Sequence, residues 1–367
     1  MNSEKVYTVI GLMSGTSLDG IDAALIRTDG REFSEPLEFI SVPYEPEMQD
    51  ALRSCLGLSD DIDGRVRITE NEMTVAHAAA VDWLLGKAGK DPVDIDLIGF
   101  HGQTIFHDPD HKFTWQIGNG PMLARLTGID VVNDFRSADV EAGGQGAPFL
   151  PLYHQAKAAE LDKPLAILNL GGVGNVTYLG AQGEILAFDT GPANALIDDW
   201  VKQSLGRDYD EGGLLAQNGQ VHDDVVKGWM GNDYFDVKPP KSLDRDHWKV
   251  DEIKGMSAQD GAATLTQFTV QSVVRAFESL PQKPQACYVT GGGRKNAVMM
   301  AWLNDQLGLS GGVHSVDTLG WDGDALEAEG FAYLAVRSRL GLPLSVPTTT
   351  GVPQDVTGGR FYSAVQD

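Results

Sequence analysis

A strand, a glycine-rich turn and a returning strand occur twice in this chain, and that repetition limits the possible folds more than any other feature. Tyr7 to Leu12 is expected to be a buried strand, Ser14 to Gly20 a polar turn, and Ile21 to Arg27 the strand that leaves it. The pattern returns in the middle of the chain. Leu165 to Leu170 is a continuous apolar run, Gly171 to Asn175 a glycine-rich turn, Val176 to Leu179 a second strand and Ile185 to Phe188 a third. Such a repeat predicts a duplicated α/β unit.

Around these hairpins, helices and strands alternate. Glu70 to Lys87 carries helical apolar spacing at Val75, Ala79 and Trp83, and Ile95 to Phe100 is expected as a strand ending at His101. Ser257 with Asp260 resembles a capped helix start, opening a long amphipathic helix through Phe268, Val273, Val274 and Phe277 that packs on the second sheet. Ala286 to Thr290 predicts a strand, Asn296 to Leu307 and Asp324 to Arg339 predict helices, and Leu342 to Asp367, rich in Pro, Thr and Gly, predicts an ordered loop. At 367 residues the chain exceeds one ordinary core, so two domains with a cleft between them are expected.

Charge narrows the function. Lys and Arg number 28 against 52 Asp and Glu, a formal charge of −24, which repels nucleic-acid phosphates and anionic membranes over the whole surface. An acidic protein still binds a nucleotide if backbone N–H groups and a divalent cation supply local positive potential, so magnesium is implied. Cys55 and Cys287 are far apart and fit neither a disulfide framework nor a zinc cluster. The apolar Val6 to Met13 lacks a basic flank and a cleavage site, and no apolar run reaches membrane-spanning length, so a cytoplasmic location is expected.

Several strings could carry chemistry. Gly15 to Asp22 (GTSLDGID) combines Gly15 and Gly20, the hydroxyls of Thr16 and Ser17, Leu18, and the carboxylates of Asp19 and Asp22. That mixture suits a phosphate and its metal, although a plain turn has the same composition. Gly171, Gly172, Gly174 and Asn175 form a second turn followed by a strand rather than a helix, which disfavours a Rossmann site, and no GxxxxGK[ST] motif occurs. Two hairpins, one per domain, are therefore expected to hold a triphosphate, with Gly291, Gly292 and Gly293 of TGGGRKN walling the adenosine.

Asp189 in FDTGPAN stands at a strand end, where a general base belongs, or else caps the helix from Ala193 to Val201. Arg136 in NDFRSAD orients a substrate or phosphoryl group, or else pairs with Asp134 or Asp139. His101 is placed to hydrogen-bond a sugar hydroxyl. The spacing of His101, His107 and His111 fits no metal site.

In chain order, GLMSGTSLDGIDAAL, GFHGQTIFH, VVNDFRSADVEAGGQGAP, LNLGGVGNVT, FDTGPANALID, KPPKSLDRD and TGGGRKN resemble the anhydro-N-acetylmuramic acid kinases, a branch of the actin-like and sugar-kinase superfamily, over nearly the whole chain. DALEAEGFAYLA matches in register and puts the family's cleft glutamate at Glu327, with Glu329 the alternative. The resemblance implies a duplicated ribonuclease H-like fold. One domain would hold residues 1–134 with about 340–367, and the other 135–339. It also implies ATP and Mg2+ as cofactors, with Asp19 and Asp22 near the metal, and a possible homodimer. The implied reaction belongs to peptidoglycan recycling: the 1,6-anhydro bond of 1,6-anhydro-N-acetylmuramic acid is opened by water at C1 while O6 receives the γ-phosphoryl group. Asp189 would be the base, with Arg136 and Glu327 at the sugar end. Rival readings are an ordinary hexose or amino-sugar kinase of the same fold, and an actin-like ATP-binding switch.

Overall fold

The computed structural model describes residues 5–15 and 17–365. They fall into two compact units, Met1–Glu160 with Ala325–Asp367, and Leu161–Asp324.

Unit 1 opens with an antiparallel meander of β1 (Tyr7–Met13), β2 (Gly20–Thr28) and β3 (Ser34–Pro43). Val9, Ile10 and Leu12 of β1 have no exposed surface, as befits a central strand covered on both faces. After α1 (Arg65–Ala88), β4 (Leu97–Phe100) pairs in parallel with β1, and β5 (Val131–Asn133) in parallel with β4. Two short helices follow, α2 (Ser137–Glu141) and α3 (Pro151–Lys157).

Unit 2 repeats the scheme. β6 (Leu165–Leu170), β7 (Val173–Leu179) and β8 (Ile185–Pro192) form the meander, then come α4 (Asn194–Leu205) and α5 (Ala258–Phe277). β9 (Ala286–Thr290) pairs in parallel with β6, α6 (Ala297–Leu307) follows, and β10 (Val313–Ser315) pairs in parallel with β9. The chain then returns to unit 1 through α7 (Leu326–Arg339) and β11 (Arg360–Tyr362), which pairs with β5. Each sheet thus has its third, second and first strands antiparallel and the next two parallel to the first. This is the ribonuclease H-like order, present twice as the hairpin repeat predicts, and it makes the chain a two-unit actin-like α/β fold.

Residues 135–160 and 325–339, expected in the second domain, lie in unit 1. Packing explains the placement of α7. A Cβ on Gly11 of β1 would stand 1.8 Å from the Ala328 carbonyl oxygen, and one on Gly99 of β4 2.1 Å from that of Phe331. Only glycines at both positions let the helix lie this close to the sheet.

Two further expectations change. In α1 the core face is Met73, His77, Ala80, Val81, Leu84 and Leu85, whereas Val75 (49%) and Trp83 (57%) are exposed. Both sets recur at helical spacing, and the sheet selects the one that fits it. The C-terminal loop also contains the edge strand β11. Cys55 and Cys287 are buried free thiols, and among the described residues no helix is long and apolar enough to cross a membrane.

Candidate active site

In unit 1 the first hairpin is pinned from several sides. Ser14 Oγ donates to Gln103 Oε1 at 2.8 Å and lies 2.9 Å from the Tyr44 hydroxyl, while Tyr44 N–H donates to Asp19 O. Leu18 adopts φ 57° and buries its side chain, so it offers a ligand only its backbone. Ser17 Oγ donates to Asp19 Oδ1 at 2.6 Å. Burial raises the Tyr44 phenol above its usual range, and the nearby charges of Asp19 and Asp22 add to the shift. Thr16 lies outside the described residues.

At the end of β4, His101 N–H donates to Leu12 O at 3.1 Å, tying the residue to β1. Its Nδ1 lies 2.7 Å from Gly102 O, and its Nε2 accepts from Arg136 Nε at 3.0 Å. Burial first, then the Arg136 charge, hold the imidazole well below its ordinary pKa. Both ring nitrogens therefore have partners within the protein, Nδ1 at Gly102 O and Nε2 at Arg136. Arg136 also donates through Nη1 to Gly146 O at 2.6 Å. Asp134 pairs with Arg360 at 2.9 Å, and Asp139 accepts from Gly146 N–H, Ser345 Oγ and Thr350 Oγ1.

On α7, Glu329 is 2% exposed, accepts from the Tyr153 hydroxyl, and forms an ion pair with Lys157 at 2.8 Å. Glu327 is half-buried. Glu329 thus docks α3 against α7, and Glu327 is the more exposed of the two.

Unit 2 supplies the second hairpin. Its turn is confined to Gly171 and Gly172, since Gly174 and Asn175 belong to β7. The carbonyl of Gly171 accepts from Asn194 N–H, and that of Gly172 from Ala193 and Ala195 N–H. These bonds satisfy the start of α4. Because peptide C=O and N–H groups point oppositely, they also turn the N–H groups of Gly172 and Val173 away from that helix.

The candidate glycines divide by what a Cβ would meet. At Gly15, Gly171, Gly172 and Gly292 the nearest atom would be 3.4 Å or more away, which leaves room for a ligand. At Gly20, Gly174, Gly291 and Gly293 it would be 2.6 Å or less, against Val42 O, Thr190 Oγ1, Asn169 Oδ1 and Leu170 Cβ respectively. Those four are glycines because the protein itself occupies the space. In the same loop Arg294 pairs with Asp317 and Asp324, and Lys295 with Asp324. Arg294 and then Lys295 hold the Asp324 carboxyl at about 2. The loop's cations are thus paired with carboxylates of unit 2.

Asp189 sits in β8 just before a bulge between Asp189 and Gly191, and α4 begins after Ala193, so Asp189 does not cap that helix. Strand register sets Asp189 opposite Asn175, Asn175 opposite Asn169, and Asn169 opposite Thr290. A polar row therefore crosses the sheet at the hairpin end. Asp189 N–H donates to Lys241 O at 2.9 Å, Leu243 N–H donates to Asp189 Oδ2 at 2.8 Å, and the Tyr234 hydroxyl donates to Asp189 O at 2.5 Å. Lys241 Nζ donates to Tyr234 O and lies 4.1 Å over the Tyr234 ring. Burial lowers the Lys241 amine to about 8.

Sequence reasoning assigned no role to Tyr234, Lys241 or Leu243. The string KPPKSLDRD was the available signal, but nothing in it tells which residue it backs. Among the described residues no group of three or more His, Cys, Asp or Glu is arranged to hold a metal, and His107 and His111 bond to Thr114 and Asp108.

Comparison with known proteins identifies the family. The family model for anhydro-N-acetylmuramic acid kinase matches residues 7–364. The chain is 51% identical over 356 residues to the anhydro-N-acetylmuramic acid kinase of Rhizorhabdus wittichii, covering 95% of this chain and 97% of that protein. It is also 51% identical over 358 residues to that of Paramagnetospirillum magneticum, covering 96% and 99%. Among solved structures, component A of the Acidaminococcus fermentans (R)-2-hydroxyglutaryl-CoA dehydratase aligns with 90% of this chain and 99% of its own at 12% identity and a TM-score of 0.48. On the full-length sequence relationship, the chain belongs to the anhydro-N-acetylmuramic acid kinase family.

Proposed function

We propose that this protein is an ATP-dependent kinase that opens 1,6-anhydro-N-acetylmuramic acid with water and phosphorylates its O6, giving N-acetylmuramic acid 6-phosphate and ADP in peptidoglycan recycling. The observation that carries the reading is a carboxylate, Asp189, held by the main-chain N–H of Leu243 beside a glycine hairpin, in a chain whose relatives carry this name.

The anhydro bond joins C1 to O6. When water attacks C1, that bond breaks and O6 departs with its electron pair, so it becomes the nucleophile towards the γ-phosphorus of ATP. The water proton passes to Asp189, and ADP leaves. One carboxylate base is enough, because phosphorus captures the leaving oxygen that another glycosidase would protonate. Arg136 orients the sugar end together with Glu327. Each unit offers its own phosphate donors, the N–H groups of Gly172 and Val173 in unit 2 and the turn at Gly15 in unit 1, for a reaction in which catalysis depends on positioning and electrostatics.

Asp19 and Asp22 offer hard oxygen donors on the first hairpin, which suits a Mg2+ ion that keeps most of its waters and phosphate ligands. When bound there, the ion supplies charge neutralisation for the triphosphate. The absence of a three-residue cluster among the described residues is compatible with that mode.

The test is a phosphoryl-transfer assay with ATP and Mg2+ on 1,6-anhydro-N-acetylmuramic acid, N-acetylmuramic acid and N-acetylglucosamine. Phosphosugar formation confined to the anhydro substrate is expected. Preference for the open sugars favours an ordinary amino-sugar kinase, and equal ATP turnover without sugar favours a switch.

A further inference from the structure

We infer that His101 is the positioning residue of Arg136: a neutral imidazole with its proton on Nδ1, whose Nε2 accepts from the guanidinium and sets its plane. The inference rests on the reading that Arg136 contacts the sugar.

The partners of the ring leave one arrangement. Gly102 O, 2.7 Å from Nδ1, can only accept, so Nδ1 carries a proton. Arg136 Nε, 3.0 Å from Nε2, can only donate, so Nε2 must be bare. An imidazolium would set two N–H groups against each other. The ring is held among its partners, since His101 is 4% exposed, the ring centroid is 4.4 Å from that of Phe331, and the main-chain N–H of His101 is bonded to Leu12 O.

The guanidinium is gripped from a second side. Its Nη1 donates to Gly146 O, and Gly146 N–H donates to Asp139 Oδ1 at 2.7 Å. Asp139, 1% exposed, is itself held by Ser345 and Thr350. Gly146 has φ 68°, and a Cβ there would lie 2.6 Å from Val140 Cγ2. A flexible arginine is thereby fixed at two of its nitrogens before any ligand arrives, which is how a supporting shell sharpens a binding group.

The experiment compares His101→Leu, which fills the space without an acceptor, with His101→Gln, whose Oε1 reaches the place of Nε2. Loss of a hydrogen bond to a charged group is expected to raise KM for 1,6-anhydro-N-acetylmuramic acid about tenfold or more in the leucine variant, with KM for ATP unchanged. The glutamine variant should recover most of the loss. In an Arg136→Ala background, His101→Leu should add nothing further. Equal defects in the two His101 variants, or a full further loss in the Arg136→Ala background, overturn the inference.

If Arg136→Ala leaves sugar kinetics unchanged, the reading of Arg136 fails instead. Should the leucine variant not fold, nitrogen-15 NMR of the wild-type imidazole decides. A proton on Nδ1 and a bare Nε2 are expected, and a proton on Nε2 refutes the inference even if no sugar is turned over.

Discussion

The main-chain N–H of Leu243 donates to Oδ2 of Asp189 across 54 residues of sequence, at 2.8 Å. That bond orients the carboxylate at the bulge that shifts the register of β8 against β7. It also leads to the first prediction. Asp189→Asn keeps the shape but removes the proton acceptor, so kcat should fall by about 10²-fold or more while ATP binding, followed calorimetrically, persists. Wild-type turnover in the variant removes Asp189 from the mechanism.

Glu327 and Glu329 lie two positions apart and should behave differently. Glu329→Gln leaves Lys157 charged in a site where its side chain is 5% exposed, and should destabilise unit 1 by roughly 3–5 kcal/mol in urea unfolding. Glu327→Gln should leave the midpoint nearly unchanged and impair sugar kinetics. The reverse pattern contradicts the assignment.

Stability should fall on mild acidification. Burial holds His77 at about 4, His154 at about 3, and His101 well below its ordinary value. A histidine of depressed folded pKa contributes its full stability above the unfolded pKa of about 6.5. Below that pH the unfolded chain takes up the proton first, and the contribution is lost progressively until pH passes the folded pKa. Each histidine adds at most about 1.4 kcal/mol per pH unit to the slope. Urea midpoints should therefore drop between pH 7 and pH 5, and a flat profile contradicts the buried neutral state.

Gly174 and Thr190 should be coupled. A Cβ at Gly174 would stand 2.6 Å from Thr190 Oγ1, so Gly174→Ala is expected to cost about 1–3 kcal/mol. Thr190→Ala should relieve part of that cost, and Thr190→Val, which keeps an atom in the crowded place, should not. Additive losses in the Gly174→Ala, Thr190→Ala double variant would show that crowding is not the reason for the glycine.

The legible parts of the fold were those written locally. The central strands announce themselves as short apolar runs such as Leu165 to Leu170, and the hairpin repeat exposes the duplication. The docking of α7 onto β1 and β4 was hidden, because it depends on Gly11 and Gly99 making space for a helix more than 200 residues away from either. The buried side of α1 was hidden for a different reason: Val75, Ala79 and Trp83 obey the same period as the true core face, and only the sheet chooses. Asp189 and Arg136 could be proposed from their neighbours in sequence. The partners that orient them could not, because Leu243 and His101 meet them only through tertiary structure.

The coupling of C1 hydrolysis to O6 phosphorylation is tested most directly by turnover in water enriched in oxygen-18, with the product trapped before its anomeric centre exchanges. The account predicts label at C1 and none in the bridge between O6 and phosphorus. Trapped N-acetylmuramic acid 6-phosphate without label at C1 contradicts it.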